Sequence, residues 1–382
     1  MDEDMEGDPL NLSTIQPLSA DHTDGLIAFS AWFSSVHGYA SLLVCTFGIC
    51  TNIFNITILT RKDMWTPTNL LLTWLAVSDV LTMIPYIPFA IHFYCMNNEQ
   101  KPLEETFTNS WSVYMLISVN LAATTHTISI WLGVSIAVFR FLQLRSTAKG
   151  ALARQRKMHQ VKVVTLSVFV LSCAVLIPNY MSNKLVERQL PGNKTMYALK
   201  ELQLASNETS PVVFANVVTY AIIAKIVPCI LMVIFGGSLL YSLGIKGRQR
   251  RRRLSSTKLT HKKGGPKPSK TTRMLLVVII LFLITEFPQG ILIFISAIVP
   301  KFYENVYIPL GDLMDFIALL NNAVNFVLYC SMSNQFRSRF LEMYLNKRRT
   351  FKDVDKSSLT QSYNSITRTA LTSVSIEKKM SV

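Results

Sequence analysis

The sequence predicts an all-α protein, a bundle of seven transmembrane helices with a short amphipathic surface helix after the seventh. Half of the 382 residues are hydrophobic and only 16% are charged, whereas a soluble domain has about 25% charged residues. Seven apolar runs are each long enough to cross a bilayer, which takes about 20 helical residues. The basic residues lie between these runs, which argues against a nucleic-acid partner despite the net charge of +15.

The apolar runs define the predicted domain organisation. Their expected bounds are Gly25–Thr60, Pro67–Tyr94, Trp111–Arg145, Val161–Tyr180, Pro211–Ile245, Arg273–Val299 and Val306–Ser331. We expect residues 1–30 to be a disordered N-terminus, residues 31–345 to be the helical domain, and the Ser/Thr-rich residues 346–382 to be a disordered tail. Phe336, Phe340 and Met343 recur at helical spacing after the seventh run, which predicts the surface helix on membrane lipid.

The distribution of basic residues predicts the orientation in the membrane. Most Lys and Arg residues follow the first, third, fifth and seventh runs. Because cytoplasmic loops carry the excess of positive charge, the N-terminus is expected outside the cell and the C-terminus inside, in the plasma membrane. Asn11, Asn193 and Asn207 each begin an Asn-x-Ser/Thr sequence on the predicted outer side, which predicts glycosylation.

Two charged residues lie deep inside the fifth and sixth runs. Lys225 lies three residues before Pro228, and Glu286 lies two residues before Pro288, so both are at a comparable depth. An ionisable group in a membrane span usually faces the bundle interior and has a partner there. We therefore expect Glu286 and Lys225 to face each other, with His126 nearby, as a switch or as a direct ligand anchor.

Asp79 lies inside the second run and suggests a polar core. Ser129, Asn321 and Asn325 offer uncharged oxygen atoms at a similar depth. Such a set predicts a site for a small hard cation such as sodium. The alternative is a dry hydrogen-bond network that joins the helices. No other cofactor is expected, and the chain contains no catalytic motif, so it is not expected to be an enzyme.

Asp312 and Asp315 lie near the start of the seventh run. They are three residues apart and share one helix face, which Asn322 and Tyr329 continue. A carboxylate pair suits a peptide arginine, so Asp312 and Asp315 are predicted ligand contacts. The alternative is that both acids lie at a hydrated helix end and complement its dipole. The remaining predicted ligand contacts are Glu286, His126 and Trp111.

Several motifs occur on six of the seven runs in the order found in rhodopsin-like (class A) G-protein-coupled receptors, and the chain resembles that family. They are Asn52, Leu75-Ala76-Val77-Ser78-Asp79, Arg140, Pro228, Phe282 with Pro288, and Asn325-x-x-x-Tyr329. The resemblance implies three sets of roles. Arg140, Phe139, Phe141 and Tyr329 would contact the G protein. Ile130, Pro228 and Phe282 would transmit the signal beneath the ligand. Asp79, Ser129 and Asn325 would form a sodium pocket.

Four departures from the family pattern imply raised basal activity or an altered resting lock. Phe139 replaces the acid before Arg140, and Phe326 replaces the proline of Asn-Pro-x-x-Tyr. Glu286 stands where the family has a toggle tryptophan. Met115 stands where the family has the cysteine of its outer disulfide, and the long outer loop contains no cysteine.

Four further motifs resemble those of invertebrate, especially nematode, myosuppressin and FMRFamide-type neuropeptide receptors. They are Thr66-Pro67-Thr68-Asn69, His126 to Trp131, Thr285 to Gly290, and Asn325 to Cys330. This resemblance implies a short amidated peptide ligand, often ending in Arg-Phe-amide, an inhibitory-type heterotrimeric G protein, and arrestin at the tail. A chemosensory receptor for small molecules stays open as an alternative, as does an ion channel or transporter. The seventh run has no lysine for a retinal Schiff base.

Overall fold

The computed structural model describes residues 20–96, 102–146, 150–190, 194–199, 210–256 and 270–345. Seven of the helices in these ranges are long and apolar enough to cross a membrane. We number them span 1 to span 7, and they comprise Asp24–Leu59, Pro67–Cys95, Asn109–Gln143, Ala151–Ser182, Pro211–Leu239, Ile279–Ile298 and Tyr303–Ser331. The predicted seven-helix fold is confirmed.

The helices overlap all seven apolar runs, although the fourth begins at Ala151, well before its predicted start at Val161, and local breaks interrupt the helical geometry. The α-helices are Ala20–Leu59, Pro67–Ala90, Leu103–Thr106, Asn109–Arg145, Ala151–Val175, Ile177–Ser182, Pro211–Thr219, Val227–Ser256, Lys270–Ile298, Ile308–Met332 and Asn334–Phe340. A 3₁₀ turn covers Lys62–Met64, and π-helical segments cover Ile91–Cys95, Tyr220–Ile226, Tyr303–Tyr307 and Leu341–Leu345.

The first helix begins at Ala20, so residues 20–30 are helical, and the domain boundary expected at residue 31 stays a prediction. Aromatic side chains at helical spacing extend the helix toward the N-terminus. The Phe29 ring lies 6.0 Å from that of Trp32 and 5.8 Å from that of Phe33. Pairs of hydrophobic side chains three or four residues apart in sequence stabilise an exposed helix.

The loop between spans 4 and 5 contains a β-hairpin that the sequence analysis missed. Strand β1, Leu185–Leu190, pairs antiparallel with β2, Lys194–Leu199. The signal was Pro191-Gly192-Asn193 between two six-residue runs, since such residues mark turns.

Hydrogen bonds fasten this hairpin to the start of span 3. The Tyr197 N–H donates to the Phe107 carbonyl at 3.0 Å, and the Ser112 hydroxyl donates to the Tyr197 carbonyl at 2.6 Å. Lys194 also pairs with Glu104. All six cysteines are free thiols, so non-covalent contacts hold the hairpin where the resembled family uses a disulfide.

The π-helical segment Tyr220–Ile226 brings span 5 into close contact with span 6 at Gly290. A Cβ atom built on Gly290 would lie 2.9 Å from the Lys225 Cβ and 3.3 Å from Ile226 Cγ1. A glycine is therefore required where these two backbones meet.

An apolar core lies below this contact, toward Arg140, and joins spans 3, 5 and 6. Its buried members are Ile130, Val134, Ala137, Cys229, Met232, Ile279 and Phe282. The structure thus brings Ile130 and Phe282 into one cluster, and Pro228, also buried, precedes Cys229 in the chain.

The chain divides into two compact units, residues 1–328 and 329–382. In the second unit, the rings of Tyr329 and Phe336 lie 5.6 Å apart. Ser333 caps the short helix Asn334–Phe340, because its hydroxyl accepts from the Phe336 N–H at 3.3 Å. The predicted helix after span 7 is therefore present. Two predictions fall outside the described residues. They are the disordered tail, residues 346–382, and the glycosylation sites Asn11, Asn193 and Asn207.

Candidate ligand site and buried ion pair

A buried ion pair links spans 5 and 6. Lys225 Nζ lies 2.7 Å from Glu286 Oε2, and these side chains are 0% and 1% exposed. His126 Nε2 lies 3.2 Å from the same oxygen. The predicted contact between Glu286 and Lys225, with His126 nearby, is confirmed as geometry, whereas its functional role stays a prediction.

Gln289 is a member of this network that sequence reasoning missed. Its Oε1 accepts a second hydrogen bond from Lys225 Nζ at 2.7 Å. Gln289 follows Glu286 by three residues, so both side chains lie on one face of span 6, and that spacing could have indicated it. The Tyr220 ring completes the surroundings, with its centroid 5.6 Å from Lys225 Nζ.

A cavity opens beside the ion pair, toward the hairpin end of the bundle. Its empty volume is about 920 Å³ including space open to solvent. Spans 2, 3, 5, 6 and 7 contribute to its wall. We call it the acidic cavity, and it is lined chiefly by Tyr86, Phe89, Ser118, His126, Tyr220, Gln289, Tyr307, Asp315 and Asn322.

The two predicted acidic contacts have different surroundings. Asp315 lines the acidic cavity with its side chain exposed, and it forms no hydrogen bond or ion pair within the described part of the chain. Asp312 instead accepts a hydrogen bond from the Tyr94 hydroxyl at 2.7 Å and is not part of the cavity lining. The shared arginine site predicted for both acids therefore stays a prediction, and in this structure only Asp315 lines the acidic cavity.

Trp111 packs against span 2 and does not line the acidic cavity, and its predicted ligand contact stays a prediction. Its ring stacks on His92 at 3.8 Å between centroids, with an interplanar angle of 9°. His92 Nε2 lies 2.9 Å from the Thr106 carbonyl, which fixes the imidazole. This cluster joins spans 2 and 3.

A second cavity adjoins the first and shares part of its wall, including Tyr220 and Tyr307. Three asparagines that the sequence analysis did not single out line it, Asn179, Asn183 and Asn216. Asn120 Oδ1 accepts from Asn179 and Asn183 at 3.1 and 2.9 Å, which joins spans 3 and 4. The two cavities together lie between spans 2, 3, 4, 5, 6 and 7.

Asp79 forms a compact polar network. Ser129 Oγ donates to its Oδ1 at 2.9 Å, and Asn325 Nδ2 donates to its Oδ2 at 3.0 Å. Asn52 Nδ2 donates to the Asn322 carbonyl at 3.0 Å.

The predicted sodium site fits these residues poorly. Asn321 lines an apolar groove with residues of spans 1 and 6, including Leu43 and Leu281, instead of approaching Asp79. Each carboxylate oxygen of Asp79 accepts one hydrogen bond from a protein donor. The hydrogen bonds of Asp79 to Ser129 and Asn325 are those expected of the alternative that the sequence left open, a network that joins the helices.

The predicted G-protein-facing residues Phe139, Arg140 and Phe141 lie at the far end of span 3, half-buried. The Phe141 ring lies 5.8 Å from that of Phe235 on span 5, and the Arg145 guanidinium lies 5.1 Å from the Phe141 ring. Tyr329, the fourth predicted residue, is buried in the second unit.

Comparison with known proteins identifies the family. Residues 39–347 match the family described as serpentine type 7TM GPCR chemoreceptor Srw. The chain belongs to this family of G-protein-coupled receptors. The receptor is therefore a rhodopsin-like signalling protein rather than an enzyme, as its sequence predicted.

Relatives and solved structures agree with this assignment. The receptor is 24% identical to the G-protein coupled receptor dmsr-1 of Caenorhabditis elegans, over 84% of this chain and 70% of that protein. It is 26% identical to the sex peptide receptor of Drosophila melanogaster, over 83% and 74%. Squid rhodopsin has the same fold, with a TM-score of 0.58 at 13% identity, covering 81% of this chain and 85% of that one.

Proposed function

We propose that the protein is a plasma-membrane receptor, with its N-terminus outside the cell, for a short amidated peptide that carries a cationic side chain, of the Arg-Phe-amide or myosuppressin type. The observation that carries this proposal is Asp315, an unpaired carboxylate in a cavity between membrane spans. An acidic side chain that faces a cavity between membrane spans commonly marks the path of a ligand or ion. A cationic ligand supplies a partner for this carboxylate.

The walls around Asp315 favour a guanidinium or another planar cation. Tyr86, Tyr220 and Tyr307 line the same cavity, and aromatic faces attract cations. Arginine stacks on such rings and forms a two-point contact with a carboxylate, whereas lysine supplies a compact point charge. The site therefore favours an arginine side chain.

The acidic cavity is connected to the buried ion pair by two of its own wall residues. His126 contacts Glu286, and Gln289 contacts Lys225. A ligand that moves either residue changes the contact between spans 5 and 6, directly above the apolar core that contains Ile130 and Phe282. In the proposed mechanism, the ligand biases a two-state bundle toward an inner opening at Arg140.

The partners proposed for the inner side come from the family resemblance. An inhibitory-type heterotrimeric G protein is proposed to contact Phe139, Arg140, Phe141 and Tyr329, and arrestin is proposed to bind the Ser/Thr-rich tail. The relative from Drosophila is named for a peptide, which supports a peptide ligand for this receptor.

A second candidate function is a chemosensory receptor for a small cation. The matching family is described as chemoreceptors, and the acidic cavity alone could hold a small molecule. The adjoining asparagine-lined cavity favours a longer ligand, because it extends the same space. Comparing full peptides with their isolated cationic fragments separates the two functions.

The test is a screen of amidated Arg-Phe peptides on cells that express the receptor, with G-protein dissociation as the readout. An active peptide is then compared with a version whose arginine is replaced by uncharged citrulline. We expect Asp315→Asn to remove the preference for arginine over citrulline, and Asp312→Asn to retain it. If wild type and Asp315→Asn prefer arginine over citrulline equally, the proposal is contradicted. If only Asp312→Asn loses that preference, the residue that binds the arginine is Asp312 instead.

A further inference from the structure

Three buried polar atoms on the wall of the acidic cavity lack a hydrogen-bond partner among the described residues. They are His126 Nδ1, Asn322 Nδ2 and Ser118 Oγ, and all three residues line the cavity that contains Asp315. Their residues are only 7%, 3% and 6% exposed. Buried polar groups in proteins are nearly always hydrogen-bonded, so this cluster indicates a polar ligand group.

The hydrogen-bonding character of His126 Nδ1 follows from its neighbours. The Glu286 carboxylate can only accept, so His126 Nε2 carries a proton and donates to it. Lys225 already balances the Glu286 charge, and a neutral imidazole adds no further charge to the membrane interior. In a neutral ring with Nε2 protonated, Nδ1 is an acceptor.

Asn322 presents the opposite character to the cavity. Its Nδ2 is a donor, while its backbone carbonyl is occupied by Asn52. The wall therefore offers an acceptor, a donor, and the Ser118 hydroxyl, which can act as either. An ammonium group satisfies only His126, and a carboxylate is repelled by the His126 lone pair and by Asp315. A primary carboxamide satisfies both residues without charge.

We propose that His126 and Asn322 bind a primary carboxamide of the ligand. The ligand N–H donates to His126 Nδ1, and the ligand carbonyl accepts from Asn322 Nδ2. This inference rests on the proposed function, and it assigns the amide end of the peptide to this wall while Asp315 binds the cation.

The assignment also gives the ligand a route to the ion pair. A donor on Nδ1 polarises the imidazole and strengthens the Nε2–H bond to Glu286, since linked hydrogen bonds reinforce one another. Glu286 Oε2 is also the oxygen that Lys225 contacts. A carboxamide bound to His126 therefore strengthens the His126 hydrogen bond to the same oxygen atom that accepts from Lys225.

The experiment measures thermal stabilisation and affinity of the purified full-length receptor with two probes. One is a tetrapeptide that ends in Arg-Phe-amide, and the other is the same peptide with a free C-terminal carboxylate. We expect wild type to prefer the amide by about 10- to 100-fold, the size of a few buried hydrogen bonds. His126→Ala and Asn322→Leu should each reduce that ratio by about tenfold.

Asn321→Leu is the matched control, because Asn321 lines the apolar groove by spans 1 and 6 and should leave the ratio unchanged. The ratio of two affinities is insensitive to a general loss of stability, and Asn322→Leu leaves the ion pair intact. An amide preference that survives both His126→Ala and Asn322→Leu overturns the assignment while the receptor function stands. Binding of neither probe by wild type overturns the assignment together with the proposed peptide class.

Discussion

Replacing Lys225 by methionine tests the buried ion pair most directly. The substitution keeps the approximate length of the side chain but removes both hydrogen bonds of Nζ, to Glu286 Oε2 and to Gln289 Oε1. Glu286 then keeps its charge at 1% exposure, with His126 as its remaining partner. Leaving one charge of a buried pair uncompensated costs about 3–5 kcal/mol.

The second variant combines Lys225→Met with Glu286→Leu. Removing both charges leaves no uncompensated group, and apolar replacement of a buried pair is often neutral or stabilising. We therefore expect the double variant to recover most of the stability that Lys225→Met loses. Thermal unfolding of the detergent-purified receptor measures both variants.

Lys194→Met provides a matched control elsewhere in the chain. Lys194 pairs with Glu104, but its side chain is 57% exposed, and exposed pairs contribute about 1 kcal/mol or less. If Lys194→Met destabilises as much as Lys225→Met, or if the double variant is no more stable than Lys225→Met, the reasoning from burial is refuted. Basal G-protein signalling is measured in parallel, and we expect Lys225→Met and Glu286→Gln each to change it.

Three further substitutions have defined outcomes. Gly290→Ala places a methyl group 2.9 Å from the Lys225 Cβ and should lower the free energy of unfolding of the receptor by about 1–3 kcal/mol. Gly237→Ala is the control, because its methyl group meets nothing within 4 Å. It should be neutral or stabilising in the same unfolding assay. Ser112→Ala removes the hydrogen bond to the Tyr197 carbonyl and should weaken the docking of the hairpin on span 3 by about 1–3 kcal/mol. The expected result is faster proteolysis between residues 185 and 199, and an unchanged cleavage rate would contradict it. Phe139→Asp introduces an acid beside Arg140, as in the resembled family, and should lower basal signalling by about fivefold. That is the effect of an ion pair that contributes about 1 kcal/mol. Unchanged or higher basal signalling would show that Phe139 does not set the resting state.

Depth along the helices could be predicted from the sequence, because each helical residue advances the chain by a fixed rise of about 1.5 Å. The spacing of Lys225 and Glu286 from their prolines was enough to predict their contact. Membrane energetics also required that these charges turn inward.

Rotation about the helix axes was harder to predict. Asn321 and Asn322 are neighbours in sequence, yet one lines the apolar groove and the other the acidic cavity. Asp312 and Asp315 share a helix face, but the Tyr94 hydroxyl from span 2 donates its hydrogen bond to Asp312. Each residue turns the helix by 100°, and π-helical segments such as Tyr220–Ile226 shift that phase without a clear sequence signal. Which side chain meets which partner is therefore decided by packing.

Reductants should have little effect on the hairpin of this receptor. Because its attachment to span 3 depends on Tyr197, Ser112 and Glu104 and on no sulfur–sulfur bond, dithiothreitol cannot release it. Cys95 is a part-exposed free thiol, so a label attached to it without prior reduction would report on the hairpin end of span 2 in the untreated protein.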